Sequence, residues 1–275
     1  MASSATDSSG KDRDIREKLV KTGHVDVMMS VGNNFFYTKS LPCSLWFFDK
    51  GKAEAIRDKV LFIDARNYYT VVDRTLNEWS EWQLKNLNAI VWLHRGEVEK
   101  YDTLLWEYTD ALTEYCNNTT WDKTISHGIK FDRYFQDDYA TLKAKLERVR
   151  KDAKAEVEAA PKREKKAVTA LWDERIAALE AITHTIGEAV WLTEKFGEGE
   201  YRDIPGLCKA ATLAEIEEKN YSLTPGAYVG VAEQEDDGVD FAQRMKEIHA
   251  ELLKLQTQSN ELMQTISRNM EGLGL

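Results

Sequence analysis

Three short segments, at 24–31, 44–48 and 59–64, constrain most strongly how this chain can fold. They are rich in apolar and β-branched residues, which predicts three β-strands arranged as a meander. The second segment, S-L-W-F-F, is almost continuously apolar, as is typical of a strand covered on both faces. Only one short helix, predicted at 15–22, precedes them, and it cannot cover both faces. The sequence therefore predicts the edge of a larger sheet whose other strands lie elsewhere.

Most of the remaining chain has helical periodicity. Apolar residues recur at helical spacing over 76–91 and 100–115, and again over 141–160 and 168–196. The last two segments flank Pro161, which predicts an antiparallel helical hairpin with its bend at the proline. Basic residues of the first hairpin helix alternate with acidic ones, which is typical of a solvated helix face rather than of a DNA-binding patch.

A further helix is predicted at 239–270. Its apolar residues recur at alternating spacings of four and three, as in a coiled coil, with one polar interruption at Ser259. We call the apolar residues the C-terminal seam: Phe241, Met245, Ile248, Leu252, Leu255, Leu262 and Ile266. A narrow apolar stripe on a long helix predicts packing against another helix. Both the helical hairpin and a separate partner protein are candidates for that second helix.

The stretch 201–231 contains two proline–glycine pairs, each of which predicts a turn. Between them, Thr212 with Glu215 three residues later predicts a capping box and a helix of about two turns. This helix is expected to end near Asn220, and a short extended piece is expected after the second turn. The residues alone favour a loop–helix–loop on the protein surface.

The same stretch resembles a known family. The strings Y-R-D-I-P-G-L-C-K-A-A-T-L-A-E-I and Y-S-L-T-P-G-A-Y-V-G are similar to the C-terminal signature of modification (M) subunits of type I restriction–modification systems. The strings I-R-E-K-L-V-K-T-G-H-V-D, F-F-Y-T-K-S-L-P-C-S-L-W-F-F and V-L-F-I-D-A-R resemble the late part of the catalytic domain of these DNA adenine-N6 methyltransferases. The resemblance implies an α/β fold, namely the late strands of a methyltransferase sheet that depends on S-adenosylmethionine (SAM). The helical periodicity described above adds a mostly helical C-terminal region with the hairpin and a coiled-coil-like helix, and the hairpin is expected to be an insertion, because the family often has a shorter link there.

The resemblance also implies a role for an aromatic cluster at 35–37. In the family, an aromatic residue near this turn faces the adenine that the enzyme extrudes from the DNA stack. Phe36 is the position that matches best, and Tyr37 beside it is a second candidate for stacking on the base. Without the resemblance, plain core packing is the better reading of this cluster.

Two motifs that the family needs are absent from this sequence. No two prolines are adjacent, so the N-P-P-[FY] motif that binds the target adenine is missing. The only string like the glycine-rich SAM motif is F-G-E-G at 196–199, which follows a predicted helix rather than a strand and is interpreted as a linker. We therefore expect this chain to be the C-terminal part of an M subunit, inactive alone, with no catalytic or cofactor-binding residues of its own. SAM is the cofactor of the complete enzyme.

The expected partners follow from the same resemblance. They are a missing N-terminal methyltransferase half and the specificity (S) subunit, against which the C-terminal seam would dock. DNA is expected only within that complex, because the net charge of −10 does not suit a protein that grips phosphates alone. The alternative hypothesis is a non-catalytic helical interaction protein, a truncated relic that still binds an S subunit.

Five segments are predicted: a disordered start at 1–14, the methyltransferase part at 15–96, a helical region at 97–200, the signature segment at 201–238 and a docking helix at 239–275. Three scattered cysteines predict reduced, mostly buried thiols in a cytosolic (cytoplasmic) protein. No apolar run is long enough to span a membrane. The five histidines lack metal-ligand spacing, so no metal site is predicted.

Overall fold

A computed structural model describes residues 3–36, 40–119, 121–122, 135–231 and 241–272. The chain divides into two compact units, Met1–Ala232 and Glu233–Leu275. The helices of the first unit are α1 Lys11–Lys21, α2 Glu81–His94, α3 Val98–Asn118, α4 Gln136–Ala159, α5 Lys165–Phe196, α6 Leu213–Glu218 and α7 Gly226–Val229. Its strands are β1 Val25–Val31, β2 Cys43–Phe48, β3 Lys59–Ala65, β4 Thr70–Val71, β5 Asn77–Glu78 and β6 Cys208–Thr212. The described part of the second unit is one helix, α8 Phe241–Gly272.

The main sheet has the strand order β2–β1–β3–β6. Strands β1 and β3 are parallel, whereas β2 and β6 run antiparallel to their neighbours. The three predicted strands are confirmed, but the predicted meander is wrong because the chain passes from β2 across β1 to reach β3. All seven residues of β1 are buried, which suits a central strand covered on both faces.

Strand β6 is the largest departure from the sequence prediction, which treats 208–212 as part of a surface loop. It pairs with β3 from Lys59↔Thr212 to Ile63↔Cys208 and so brings the 201–231 stretch into the sheet. Its outer side is partly covered by the preceding chain, since the Ile204 amide donates to the Cys208 carbonyl oxygen at 2.9 Å. The predicted segments 15–96, 97–200 and 201–238 therefore contribute to one compact unit as far as residue 232.

Helices cover both faces of the sheet. One core joins the β1 and β3 side chains Val27, Met29, Leu61 and Ile63 to α2, α3 and the C-terminal half of α5. The other core joins Val25, Met28, Val60 and Phe62 to α1, α6 and α7. The Tyr228 ring of α7 stacks on Phe62 with their centroids 3.9 Å apart. This α/β/α layering agrees with the predicted fold class.

One prediction for the 201–231 stretch is confirmed and another is wrong. The capping box is confirmed, because the Thr212 hydroxyl accepts from the Glu215 amide at 3.3 Å and the Glu215 carboxylate accepts from the Thr212 amide at 2.8 Å. The piece after Pro225, predicted to be extended, is instead the short helix α7. Its Tyr228 and Val229 are buried on the sheet, and this burial favours a helical turn there.

The N-terminus is more ordered than the sequence predicts. Residues Ser3–Thr6 form a 3-10 helix, and α1 begins at Lys11 rather than at 15. Arg16 ties this start to the rest of the unit, since its guanidinium donates to the Tyr221 carbonyl oxygen at 2.9 Å and to the Ser8 carbonyl oxygen at 2.6 Å. Residues 3–14, predicted to be disordered, are therefore held by contacts distant in sequence, which no local pattern reveals.

The helical hairpin is confirmed, with α4 and α5 longer than predicted. Two contacts show that the helices are antiparallel: Arg150 pairs with Glu180 at 2.8 Å, and Glu156 accepts from the Trp172 indole at 3.1 Å. The second helix, α5, continues past the hairpin and buries Ile182, Ile186 and other side chains beneath the sheet. The hairpin is thus an extension of the core layer.

The C-terminal helix is also confirmed as a helix, over Phe241–Gly272. The seam residues Met245, Ile248, Leu252, Leu255, Leu262 and Ile266 are all exposed to solvent. The Phe241 side chain and the residues 232–240 lie outside the described part of the chain. Pairing of the seam as a coiled coil stays a prediction.

A buried histidine at the end of α2 makes the stability of the first unit depend on pH. Burial lowers the pKa of His94 to about 4, and its ring packs edge-on against Tyr201 with the centroids 5.3 Å apart. The unfolded chain, with a histidine pKa of about 6.5, binds this proton first, so stability is present above that pH and falls as pH drops toward 4. We expect the free energy of unfolding to lose about 2 kcal/mol more between pH 7 and pH 5 in the wild type than in His94→Gln. Urea unfolding at both pH values measures this, with the exposed His249→Gln as control; equal losses in the wild type and His94→Gln would contradict it.

Candidate functional site

The loops that follow β1 and β3 meet at one edge of the sheet. Because the two strands are parallel, their carboxyl ends Val31 and Ala65 lie side by side in the register. In open α/β sheets, ligands bind outside the carboxyl ends of such strands. The Phe36 side chain, on the loop after β1, is 47% exposed at this edge. An exposed aromatic ring at this position is the feature that most suggests a binding role.

The backbone of the loop 32–36 is tightly held. A Cβ atom on Gly32 would lie 2.7 Å from the Arg66 carbonyl oxygen, so only glycine fits at the start of the loop. Asn34 adopts a φ of 63°, in the left-handed region that asparagine tolerates better than most residues. The Asn34 carbonyl oxygen accepts from the Asn77 amide at 2.8 Å, and the Asn33 carbonyl oxygen accepts from the Asn77 side-chain amide at 2.9 Å.

The three residues of the predicted aromatic cluster have different surroundings. The Phe35 ring packs against Trp79 at a centroid distance of 4.8 Å and edge-on against Tyr69 at 6.0 Å. Phe35 is therefore a packing residue, whereas Phe36 faces solvent. Tyr37 lies outside the described residues. Phe35 packs against neighbouring rings at the periphery of the core, and the base-stacking role of Phe36 and Tyr37 stays a prediction.

A buried polar network lies beneath the loop after β3, and the sequence analysis does not find it. The Glu188 carboxylate of α5 accepts from the Tyr68 hydroxyl and from the Gln83 side-chain amide at 3.1 Å. Asn86 donates to the Glu188 carbonyl oxygen at 3.0 Å and accepts from the Tyr108 hydroxyl at 2.9 Å. Burial raises the pKa of both tyrosines, which keeps them as neutral donors. The network joins four elements distant in sequence, so no sequence spacing marks it.

Strand β2 is the edge strand on one side of the sheet, and the 3-10 helix Ser3–Thr6 lies against it. Among the described residues, no strand pairs with the outer side of β2. Leu45 packs on one core and Trp46 on the other, so the strand has apolar side chains on both faces. Phe47 and Phe48 continue this pattern, but they are 46% and 51% exposed. Strand β2 is thus apolar on both faces yet only partly covered.

Other chemistry is limited in the described part of the chain. No group of three or more histidine, cysteine, aspartate or glutamate side chains there could hold a metal ion. The three cysteines are free thiols; Cys116 and Cys208 are buried and Cys43 is partly buried, as predicted. Burial raises the pKa of Cys208 to about 12, so its thiol is protonated and unreactive at neutral pH. None of the described helices combines the length and the apolar character needed to cross a membrane.

Comparison with known sequences finds a family that is similar to part of this chain. The sequence model of the N-6 DNA Methylase family matches residues 1–136, which contain β1 to β5 and the loop of Phe36. The match covers slightly less than half of the chain, and this region is therefore similar to N-6 DNA methylases. The recognised resemblance to type I modification subunits is confirmed by the relatives described next. The methylase region thus supplies three strands of the main sheet.

Two curated relatives are methylase subunits of type I restriction enzymes. The HindI methylase subunit of Haemophilus influenzae is 50% identical over 74 residues, which are 27% of this chain and 17% of that protein. The MjaIX methylase subunit of Methanocaldococcus jannaschii is 24% identical over 274 residues, which are 100% of this chain and 31% of that protein. This chain therefore spans less than a third of the length of either relative.

A solved structure is also similar to this chain. It is the type I restriction-modification system methyltransferase subunit of Streptococcus thermophilus, with 13% sequence identity, and the similarity covers 82% of this chain and 25% of that one. The TM-score of 0.36 is too low to establish a common fold. The architecture given above therefore rests on the strands and helices of this chain alone.

Proposed function

We propose that this chain is the C-terminal part of the modification subunit of a type I restriction–modification system. The complete enzyme transfers a methyl group from SAM to adenine N6 in DNA. The observation that carries the proposal is the match of residues 1–136 to the N-6 DNA methylase family, in a sheet that ends at the partly exposed strand β2. The chain does not methylate DNA alone, because its sequence has neither of the family's SAM and N-P-P-[FY] motifs.

The exposed end of strand β2, at Phe47 and Phe48, is the docking surface for the catalytic half in this proposal. Unpaired amide and carbonyl groups at a sheet edge form a ready template for another strand. Apolar side chains on both faces of β2 favour a neighbour that is itself covered by helices on both sides. The partner is therefore a polypeptide that carries the two missing motifs and extends the sheet beyond β2.

The described residues of this chain do not fit SAM. A SAM site needs a glycine turn after a strand that leaves the backbone open to the cofactor. Gly32 follows strand β1, but its open side is occupied by the Arg66 carbonyl oxygen, which would lie 2.7 Å from a Cβ atom there. The catalytic half therefore holds the cofactor, and no step of methyl transfer is assigned to residues described here.

Phe36 is the contribution of this chain to the DNA site. An enzyme that modifies a base in duplex DNA extrudes it and holds it against aromatic or apolar surfaces. Phe36 provides an exposed ring on a tightly held loop, at the sheet edge where α/β proteins bind ligands. Tyr37 is a second candidate for the same stacking role. Stacking a base on such a ring stabilises the bound state by roughly 1–3 kcal/mol.

The C-terminal seam on α8 is proposed to dock against helices of the specificity subunit. Its side chains Met245, Ile248, Leu252 and Leu255 are exposed, as a seam awaiting a partner helix would be. DNA then enters through the assembled complex, which is consistent with a net charge of −10 on this chain. The specificity subunit reads the DNA sequence in this scheme.

Reconstitution tests the proposal. This chain, a catalytic half carrying the two motifs and a specificity subunit are purified separately and mixed with DNA and SAM labelled in the methyl group. We expect labelled N6-methyladenine only in the mixture that contains all three polypeptides. The control replaces the catalytic half with a variant whose N-P-P-[FY] asparagine is alanine. Methyl transfer by this chain alone, or transfer that does not need it, would exclude the proposal.

The exposed seam favours a second candidate, a non-catalytic interaction protein. Such a chain would bind the specificity subunit through α8 without any catalytic half. Sedimentation of this chain with the specificity subunit alone, followed by addition of the catalytic half, separates the two functions. A complex that forms but never accepts the catalytic half supports the interaction protein.

A further inference from the structure

The loop of Phe36 combines two properties that seldom occur together on a protein surface. The Phe36 side chain is exposed, whereas the loop before it is constrained at Gly32 by the Arg66 carbonyl oxygen and at Asn34 by the hydrogen bond from the Asn77 amide. An exposed ring on a mobile loop would lose side-chain and backbone entropy on contact with a ligand. A ring on a rigid loop is pre-organised, so binding costs less free energy.

We propose that Asn77 is a positioning residue that holds Phe36 in place for stacking on the target base. The inference rests on the proposed function, which supplies the base, and it adds a residue for which neither the family match nor the sequence suggests a role. Asn77 does not contact the base in this proposal. It acts through the backbone of residues 33 and 34, which immediately precede Phe35 and Phe36.

The geometry around Asn77 supports this role. Its side-chain amide donates to the Asn33 carbonyl oxygen at 2.9 Å, and its backbone amide donates to the Asn34 carbonyl oxygen at 2.8 Å. Asn77 is buried, so water does not compete strongly for these bonds. Two bonds from one residue to adjacent carbonyl groups fix both the distance and the orientation of the loop.

The support behind Asn77 is itself rigid. Strand β5 begins at Asn77 and pairs with β4, where Val71 is opposite Asn77. Two residues later, the Trp79 ring packs on Phe35, and its indole donates to the Tyr68 carbonyl oxygen at 2.7 Å. The β4–β5 hairpin therefore braces the Phe36 loop at two points, one polar and one aromatic. The Asn77→Ala substitution removes the polar contact and retains the aromatic contact between Trp79 and Phe35.

A double-mutant cycle in the reconstituted enzyme tests the proposal. We expect Asn77→Ala to lower kcat about 10-fold, because a loop displaced by a fraction of an ångström presents the ring poorly. Phe36→Ala is expected to lower kcat about 30-fold through lost stacking. If Asn77 acts only through Phe36, the double variant is no slower than Phe36→Ala, within about twofold. Asn88→Ala, at an exposed asparagine of α2, is the matched control and is expected to behave as the wild type.

A spectroscopic signal separates positioning from general loss of structure. Duplexes with 2-aminopurine at the target adenine fluoresce when the base leaves the stack, and stacking on Phe36 quenches that fluorescence. We expect Asn77→Ala and Phe36→Ala complexes, measured at enzyme concentrations that saturate the DNA, to be brighter than the wild-type complex. A double variant about 300-fold slower than the wild type, or an Asn77→Ala enzyme with wild-type rate and fluorescence, would overturn the proposal.

Failure of the proposed function gives a different result from failure of this inference. If the wild-type mixture transfers no methyl group, the stacking role of Phe36 is excluded. The effect of Asn77 on the loop can still be measured in this chain alone. Amide hydrogen exchange over residues 33–36 is then expected to quicken about 10-fold in Asn77→Ala and not in Asn88→Ala. Unchanged exchange in Asn77→Ala would show that Asn77 does not hold the loop.

Discussion

We expect serine at both Phe47 and Phe48 to weaken the affinity of this chain for the catalytic half by about 1,000-fold. The two rings lie on opposite faces of the edge strand β2, and each is about half exposed before assembly. In the proposed complex both become buried, and a buried aromatic anchor commonly contributes about 2 kcal/mol or more to binding. Losing two such anchors corresponds to about 4 kcal/mol, hence the expected factor. Titration of the labelled catalytic half, read by fluorescence anisotropy, measures the dissociation constant.

The matched control for this pair is Trp106→Ser. Trp106 is 69% exposed on α3, so it is a large exposed aromatic residue away from strand β2. The control is expected to leave the dissociation constant unchanged within about twofold. Urea unfolding of Phe47→Ser/Phe48→Ser checks that the fold persists. If Phe47→Ser/Phe48→Ser folds and binds as tightly as the wild type, then β2 is not the docking edge.

The second large effect is on stability. We expect Arg95→Met to lower the free energy of unfolding by about 3 kcal/mol, because it leaves the buried Asp26 carboxylate without its cation. Asp26 is 1% exposed, and one of its carboxylate oxygens has no hydrogen-bond partner among the described residues. The other oxygen accepts from the Arg95 guanidinium, and this pairing raises the pKa of Arg95. Lys52 cannot substitute, because its amino group donates to the carbonyl oxygens of Val25 and Lys59.

The local backbone explains why a carboxylate lies in the core at this point. Val25 and Val27 of β1 pair with the adjacent residues Phe48 and Phe47 of β2, so Asp26 is the extra residue of a bulge. The bulge leaves Asp26 beside the C-terminal end of α2, where Arg95 follows the helix. The buried aspartate is thus compatible with the sheet only as half of an ion pair.

A double variant separates loss of the pair from loss of packing. Asp26→Asn combined with Arg95→Met removes the charge together with its partner, and we expect it to be more stable than Arg95→Met alone. Urea unfolding at neutral pH gives both free energies. If the double variant were as unstable as Arg95→Met, the cost would come from lost packing of the arginine side chain and not from an unpaired charge.

The helices and their caps follow from local sequence, and most of them were predictable. The Thr212–Glu215 capping box and the α4–α5 hairpin at Pro161 rest on residues within one or two turns of each other. Strand β6 was not predictable, because C-K-A-A-T has little strand propensity and forms only where β3 offers an edge. The extended form predicted after Pro225 failed for the same reason, since packing on Phe62 stabilises a helical turn there.

Some residues of the candidate site could likewise be named from the sequence, and others could not. Phe36 was named from the sequence through family resemblance, but its exposure beside Phe35, which packs on Trp79, required the folded chain. Asn77 carries no sequence signal, because the carbonyl groups it binds are 44 and 43 residues away along the chain. The Glu188 network spans 120 residues between Tyr68 and Glu188 and was likewise invisible.

The sequence by itself determined the similarity to N-6 DNA methylases, the three strands, the long helices and the absence of the SAM and N-P-P-[FY] motifs, because each of these depends on short runs of residues. Only the tertiary structure decided the strand order, the recruitment of β6, the place of β2 at the edge of the sheet and the hydrogen bonds from Asn77 to the loop before Phe36. Hydrogen bonds and apolar contacts between distant segments form only when the whole unit buries its core, so no local pattern encodes them.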